Sequence, residues 1–203
     1  MSKMQIVIDA SMCLLWMTTY TLVLLGTIKY RYPLISPITQ VIIAPFEFSV
    51  LFCFVRLGNF GFDYVSMAYL YWTLIEIAII MVMLKNGYIK KKYRALYIIL
   101  AICITAIMVY LVAFRGQIFF FSYLNTFIGV IIWLAFVIKR KDYPMKTITL
   151  AIFIVKFIAD VLGFIVYNGY GSWVENAMCI LLPIIDFLFI LLYLKRKNVV
   201  AIE

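Results

Sequence analysis

Three acidic residues and one lysine stand in the middle of long apolar runs, where charged side chains are rare. Glu76 and Asp186 each precede a lysine by nine residues, and Glu47 and Lys156 lie at a similar distance from the ends of their own runs. At about 1.5 Å of rise per residue, these four side chains would lie close to the midplane if the runs are membrane-spanning helices. Each would cost at least about 2.5–3.5 kcal/mol on insertion scales, which makes all four functional candidates.

Proton transfer is the chemistry that such a set favours. Three acids accompany one lysine, so at least one carboxyl lacks a cationic partner. Because burial disfavours the charged form, that carboxyl is expected to hold its proton. A neutral acid in an apolar cavity is a proton donor for a substrate, or a proton-coupling group in a transporter. The alternative is structural: Lys156 and Asp160, spaced i, i+4, could pair within one helix, and the whole set could tie helices together.

Aromatic residues and prolines accompany the acids. Aromatic faces around an apolar cavity stabilise cations, although the same residues also suit ordinary packing and interfacial belts. Pro45 and Pro183 precede Glu47 and Asp186 by two and three residues, and each is expected to kink its helix beside an acid. The flanking aromatic residues are Phe46, Phe48, Phe52, Tyr69, Tyr71, Trp72, Phe157, Phe187 and Phe189.

The apolar runs are the elements that must position these residues. The chain has 203 residues, of which 67% are hydrophobic and 13% charged, with a mean hydropathy of +1.10. A soluble domain could not cover so much apolar surface. The sequence therefore predicts an all-α polytopic membrane protein, with one seven-helix transmembrane domain over residues 1–203 and no room for a soluble domain in its short connections. The seven runs lie near 6–28, 36–57, 64–84, 94–114, 118–138, 145–167 and 174–194.

Basic residues predict the orientation of the chain. Of the 18 lysines and arginines, fourteen lie in the connections after helices 1, 3 and 5 or in the C-terminal tail, against three on the other side. By the positive-inside rule, the N-terminus faces out and the C-terminus faces the cytoplasm, in what we take to be a bacterial cytoplasmic membrane. The net charge of +9 then reflects topology and contact with anionic lipid, and no nucleic-acid partner is expected.

The sequence lacks the residues that several kinds of functional site require. The sequence has no histidine, which excludes His-based triads and imidazole proton relays and disfavours haem and zinc hydrolase sites. Its four cysteines stand singly in four different runs, with no C-x-x-C pair, and are interpreted as packing residues. No Gly-rich phosphate loop supports hydride chemistry.

Short segments in helices 2 to 7 carry a resemblance to a known family. They are Ala44–Phe48 with an aromatic before Glu47, Trp72–Glu76 continuing to Gly87, Tyr123–Asn125, Ala151–Gly163 around Lys156, and Asp186 followed by aromatics. Together they resemble the small seven-helix membrane-bound terpene cyclases of fungal meroterpenoid and indole-diterpene pathways and their bacterial relatives. The chain departs from that pattern at Phe46, where the family has Trp, at Glu76, where it has Asp, and after Lys156, where its Gly-Thr is absent.

The resemblance implies a terpene or isoprenoid cyclase that uses neither metal nor cofactor. Glu47 would protonate an epoxide or alkene of a prenyl chain, and Asp186 and Glu76 would hold or reprotonate that donor or assist the final deprotonation. No D-D-x-x-D cluster is present, so ionisation by loss of diphosphate is less expected. The implied partners are a lipophilic prenyl substrate, membrane lipid and an upstream prenyltransferase or epoxidase. The substrate-binding residues would be Phe46, Trp72, Asn125, Lys156, Asp160 and Phe187.

Two other functions remain open. One is a small proton-coupled transporter of an amphipathic solute, with the midplane carboxylates as coupling groups. It draws on a weak internal similarity, in which Ile75–Lys85 resembles Ile185–Lys195 at an offset of 110 residues, as a parallel 3 + 1 + 3 repeat would require. The other is a non-catalytic membrane subunit. A retinal protein is disfavoured, because the midplane lysine is not on the last helix.

Overall fold

The computed structural model describes residues 3–169 and 171–200, without the side chains of residues 119 and 198–200. Seven long α-helices and no strand are found in these ranges. Each helix is long and apolar enough to cross a membrane, so the prediction of an all-α chain with seven such helices is confirmed. A short 3-10 turn, Lys91–Tyr93, precedes the fourth helix, and a π turn, Tyr110–Phe114, extends it. The helices are α1 (Lys3–Tyr30), α2 (Pro37–Arg56), α3 (Tyr64–Lys85), α4 (Arg94–Val109), α5 (Ile118–Lys139), α6 (Thr147–Tyr167) and α7 (Trp173–Val200).

Local sequence signals account for several helix ends. The Ser36 side chain accepts a hydrogen bond from a backbone N–H at the start of α2, and Pro37 occupies the first turn, where its missing N–H is not needed. The Asp63 carboxylate accepts hydrogen bonds from two backbone N–H groups at the start of α3. Gly87 follows α3 with a φ of 76°, and Gly116 follows the π turn with a φ of 68°. Glycine adopts this left-handed conformation without steric cost, so it ends these helices.

Six of the seven helices form a closed ring. In order around the ring they are α1, α3, α2, α5, α7 and α6, and α6 packs in turn on α1. The remaining helix, α4, packs outside the ring against α2, and none of the residues Arg94–Val109 is buried. A helix that is apolar on all sides suits a position in contact with lipid.

The contacts in the ring repeat after half a turn. Helix α3 lies between α1 and α2, just as α7 lies between α5 and α6, and the joint between α2 and α5 corresponds to that between α6 and α1. Buried residues follow the same offset of 110 residues that the sequence suggested. This is the arrangement that a parallel 3 + 1 + 3 repeat requires. Corresponding buried pairs in α3 and α7 are Ala68 and Met178, Trp72 and Leu182, Glu76 and Asp186, Ile79 and Phe189, and Met83 and Tyr193.

One half of the ring interior is filled by aromatic side chains. The rings of Trp133, Phe153 and Phe189 lie with their centroids 4.8–6.0 Å apart, and all three are buried. At the same end, the Trp133 indole N–H and the Tyr143 hydroxyl both donate to the Leu34 carbonyl, at 2.7 and 2.6 Å. The connection between α1 and α2 is thereby tied to α5 and to the connection that follows α5.

The close approach of α2 and α5 at Gly129 gives a test of the ring. A Cβ at this position would lie 2.8 Å from the Ile43 side chain, and the Thr39 hydroxyl donates to the Gly129 carbonyl at 3.3 Å. We expect Gly129→Val to lower the free energy of unfolding by about 1–3 kcal/mol, because overpacking forces the helices apart. The unfolding midpoint in detergent micelles measures the loss. Ile128→Val, at a neighbouring outward-facing side chain, is the control, and equal midpoints for the two variants would contradict the contact.

Candidate functional site

A cavity lies inside the ring, in the half away from the filled aromatic cluster, and is called the central cavity below. Its described lining residues come from all six ring helices and none from α4. The cavity has a volume of about 150 Å³ and is partly open to the outside, which makes it smaller than most ligand pockets, about 300–1,000 Å³. The aromatic residues in its wall are Trp16, Tyr20, Phe46, Tyr69, Trp72, Tyr123, Phe164 and Tyr167.

Glu47 is the acid that α2 contributes to the central cavity. Its Oε2 atom is buried and has no hydrogen-bond partner among the described residues. Phe46, the preceding residue, is 2% exposed and also lines the cavity, whereas Phe48 and Phe52 are exposed on the outside of the bundle. Glu47 therefore stands at an aromatic wall with one carboxyl oxygen free to hold a proton.

Glu76 is a second acid close to Glu47. It is fully buried in α3, and neither carboxyl oxygen meets a described residue in hydrogen-bond geometry. Its electrostatic neighbours are Glu47 and the Tyr20 hydroxyl. Tyr20 lines the central cavity and interacts with Glu47, Glu76 and Asp160. The Tyr20 hydroxyl is thus an electrostatic neighbour of three carboxyls.

Lys156 forms a buried cluster with two aspartates. Its Nζ donates to Asp160 Oδ2 at 2.7 Å and to Asp186 Oδ1 at 2.6 Å, and lies 4.9 Å from the centroid of the Trp16 ring. The i, i+4 pair within α6 is therefore present, and α7 adds a second carboxylate. Because two acids already share its ammonium, Lys156 is not available to neutralise Glu47 or Glu76. The described residues hold no group of three or more acids or cysteines suited to a metal ion.

Four of the predicted site residues reach the wall of the central cavity. Lys156 lies behind the wall and pairs with Asp160, one of the four, and with Asp186. Glu76 interacts with Glu47, another of the four. The acids that the sequence placed at one depth are thus brought together in two groups, one around Lys156 and one without a cation. The four residues at the wall are Phe46, Glu47, Trp72 and Asp160.

Three predicted substrate-binding residues are not found at the cavity wall: Lys156, which lies behind it, Phe187 and Asn125. Phe187 is 48% exposed and packs against Phe157 on the outside of the bundle, with ring centroids 6.1 Å apart. Its position on α7 turns it away from Asp186, the neighbour that had suggested a role. Asn125 is buried with neither amide atom hydrogen-bonded to a described residue, but it does not line the cavity.

The contribution of α1 was missed by the sequence reasoning. Trp16 and Tyr20 line the central cavity from successive turns, with ring centroids 5.8 Å apart. No midplane charge marks this helix, and the available signal was the i, i+4 spacing of the two aromatic residues. On the same helix, Asp9 is buried and accepts hydrogen bonds from the hydroxyls of Tyr64 and Tyr167.

Removal of the buried cation tests the Lys156 cluster. We expect Lys156→Met to lower the free energy of unfolding by about 3–5 kcal/mol, because it leaves two buried carboxylates without a partner. A triple variant that adds Asp160→Asn and Asp186→Asn should regain most of the loss, since the whole ionic set is then neutral. Unfolding midpoints in detergent micelles measure both. A single variant as stable as the native protein would show that the cluster is not formed.

Comparison with known proteins does not assign the chain to a family. Neither a family model, a curated protein nor a solved structure matches it. What the site can do chemically rests on its own residues: an acid without a cation at an aromatic cavity, a second acid close by, and a lysine bound by two aspartates.

Proposed function

We propose that this protein is an integral-membrane terpene or isoprenoid cyclase in which Glu47 starts the reaction by protonating an epoxide or alkene of a linear prenyl chain. The observation that carries the proposal is a buried Glu47 carboxyl oxygen without a hydrogen-bond partner among the described residues, at a cavity walled by aromatic side chains. The same residues carried the resemblance to membrane-bound terpene cyclases.

The surroundings of Glu47 favour its neutral, proton-donating form. A carboxylate buried without a cation or hydrogen-bond donors is costly in an apolar medium, whereas the protonated acid is not. Lys156 is bound by two aspartates, and the electrostatic neighbour Glu76 is itself an acid. Glu76 is also the nearby group suited to hand a proton back to Glu47 after the first transfer.

The walls of the central cavity suit a cationic intermediate. Protonation of an alkene or epoxide leaves a positive charge on carbon, and aromatic faces attract cations by about 0.5–2 kcal/mol each. Trp16, Tyr69 and Trp72 belong to the wall, and the buried rings of Trp133, Phe153 and Phe189 pack together in the other half of the ring. Exclusion of water protects such a cation from premature capture.

The substrate class follows from the surroundings of the cavity. A linear prenyl chain dissolves in the membrane, from which it would enter a cavity enclosed by apolar helices. Its supply requires a prenyl transfer reaction, followed by epoxidation where the epoxide is the substrate. The cyclisation itself needs a proton and a shaped apolar wall, and no step in it calls for a metal ion or an organic cofactor.

Loss of the proton donor is the direct test. Purified protein in detergent micelles would be incubated with farnesol, geranylgeraniol and their terminal epoxides, and products would be analysed by mass spectrometry. We expect Glu47→Gln to lower the rate about 10²–10⁴-fold, the usual contribution of a positioned acid. Glu175→Gln is the matched control, because Glu175 accepts a hydrogen bond from the Ser172 backbone N–H at an exposed helix start. Equal rates for Glu47→Gln and native protein would refute the role of Glu47.

The proposal includes the orientation of the chain in a bacterial cytoplasmic membrane, with the N-terminus outside and the C-terminus inside. The excess of basic residues at one end of the bundle supports it. In intact cells, a membrane-impermeant maleimide should label Asn59→Cys. Lys141→Cys should react only after the membrane is opened. The reverse pattern would invert the topology and place the central cavity in the cytoplasmic half.

A second function, proton-coupled transport of an amphipathic solute, is favoured by one observation. The helix contacts repeat across a ring that surrounds a cavity with carboxyl groups, an arrangement also suited to alternating access. Uptake of a fluorescent amphipathic amine into proteoliposomes separates the two functions. Uptake driven by a pH gradient and abolished by Glu47→Gln would favour the transporter, and product formation without such uptake would favour the cyclase.

A further inference from the structure

Two acids face the central cavity from opposite sides of the ring. Glu47 lies on α2 and Asp160 on α6, and both line the cavity. In the ring order α1, α3, α2, α5, α7, α6, these two helices are three places apart in either direction. A molecule in the cavity would therefore have Glu47 on one side and Asp160 on the other.

The two acids differ in what surrounds them. Asp160 accepts a hydrogen bond from the Lys156 ammonium at 2.7 Å, whereas Glu47 has a buried oxygen without any partner among the described residues. An adjacent ammonium stabilises a carboxylate, and an apolar setting stabilises the neutral acid. The cavity thus has an acid that can give a proton on one side and a carboxylate that can accept one on the other.

The internal correspondence explains how this difference arises. At the offset of 110 residues, buried Phe46 on α2 corresponds to buried Lys156 on α6, and Glu76 on α3 corresponds to Asp186 on α7. Each half of the ring therefore holds an equivalent buried acid. Asp186 is accompanied by the Lys156 cation in one half. In the other half, the position that corresponds to Lys156 is occupied by the phenyl ring of Phe46. At the same offset, Glu47 corresponds to Phe157 and Asp160 to Val50, so each cavity acid also stands where the other half has an apolar residue.

Only one of the two aspartates bound to Lys156 can touch a ligand. Asp160 lines the central cavity, whereas Asp186 is 1% exposed and does not. Asp186 is not part of the cavity wall, but its Oδ1 accepts a hydrogen bond from Lys156 Nζ at 2.6 Å and so holds the lysine in place. The position that can accept a proton from a bound molecule is therefore that of Asp160.

On the basis of the cyclase function proposed above, we propose that Asp160 is the base that ends the reaction. Glu47 loses its proton to the substrate at the start, forming a C–H bond with an alkene or an O–H bond as an epoxide C–O bond breaks. After ring closure, the Asp160 carboxylate removes a proton from the carbon next to the cation. The electrons of that C–H bond form a new C=C bond, so the substrate is isomerised with no gain or loss of atoms.

The resting state is restored when the proton passes from Asp160 back to Glu47. Tyr20 lines the cavity and interacts electrostatically with Asp160, Glu47 and Glu76, the carboxyls of both sides. We assign the return of the proton to this residue, whose hydroxyl can both accept and donate a hydrogen bond. Glu76, which interacts with both Tyr20 and Glu47, would then pass the proton on to Glu47.

The position of the new double bond tests the assignment. With farnesol, geranylgeraniol or their terminal epoxides in D2O, the native protein should give one alkene, labelled where Glu47 delivered deuterium when the substrate is an alkene. For Asp160→Asn we expect at least a tenfold loss of that alkene and its replacement by alkenes at other positions or by an alcohol from water capture. Asp186→Asn, which removes a Lys156 partner outside the cavity, should lower the yield but keep the same alkene.

Each outcome separates the base from the cyclase function. If native protein and Asp160→Asn give the same alkene at the same rate, the base assignment is wrong and the cyclase function stands. If the native protein converts none of the four substrates, both proposals fall. If Asp160→Asn does not fold, as judged by gel filtration and unfolding midpoint, Asp160→Glu replaces it. That variant keeps the charge and moves the carboxylate, so an unchanged alkene would contradict the assignment.

Discussion

A lysine ammonium buried among apolar helices has to be met by carboxylates, and this requirement organises the site. Lys156 joins α6 to α7 through Asp186, keeps Asp160 at the cavity wall and lies over the Trp16 ring of α1. Three neighbouring helices of the ring thus meet at one charged atom. The cost of leaving any member unpaired is several kcal/mol, which fixes the relative depth of these helices more firmly than apolar contacts between smooth surfaces.

The ring interior divides into a filled half and a hollow half, and the division follows from side-chain size. Trp133, Phe153 and Phe189 meet at one level and fill the space between three helices. Towards the other end, Gly163, Ser122 and Thr126 are part of the wall. Small side chains at these positions leave a chamber that the large aromatic rings of the neighbouring helices then border without filling.

The number and extent of the helices could be predicted from the sequence, because an apolar run of about 20 residues has few other stable structures. The depth of Glu47, Glu76, Lys156 and Asp186 followed from counting residues along those runs. Which side of its helix each residue faces did not follow, because every face of these helices is apolar.

Phe187 and Trp16 show the consequence of that ambiguity. Phe187 was selected for its proximity in sequence to Asp186, yet the next residue of a helix is turned by about 100° and faces outward. Trp16 has no charged neighbour in sequence. Its position near Lys156 follows from the packing of α6 against α1, which the sequence does not show. The order of helices in the ring depends on such contacts between distant segments, and a single sequence does not reveal them.

The position of α4 outside the ring is related to the number of membrane crossings in each three-helix group. A group of three membrane crossings ends on the opposite side from where it began, so a second group in the same orientation can start only after a fourth crossing. Helix α4 makes that crossing and contributes nothing to the wall of the cavity. Helix α4 returns the chain to the first side of the membrane. This role requires length and apolar character but few particular side chains. Substitutions that keep α4 long and apolar should therefore be tolerated more readily than substitutions in the three-helix groups on either side.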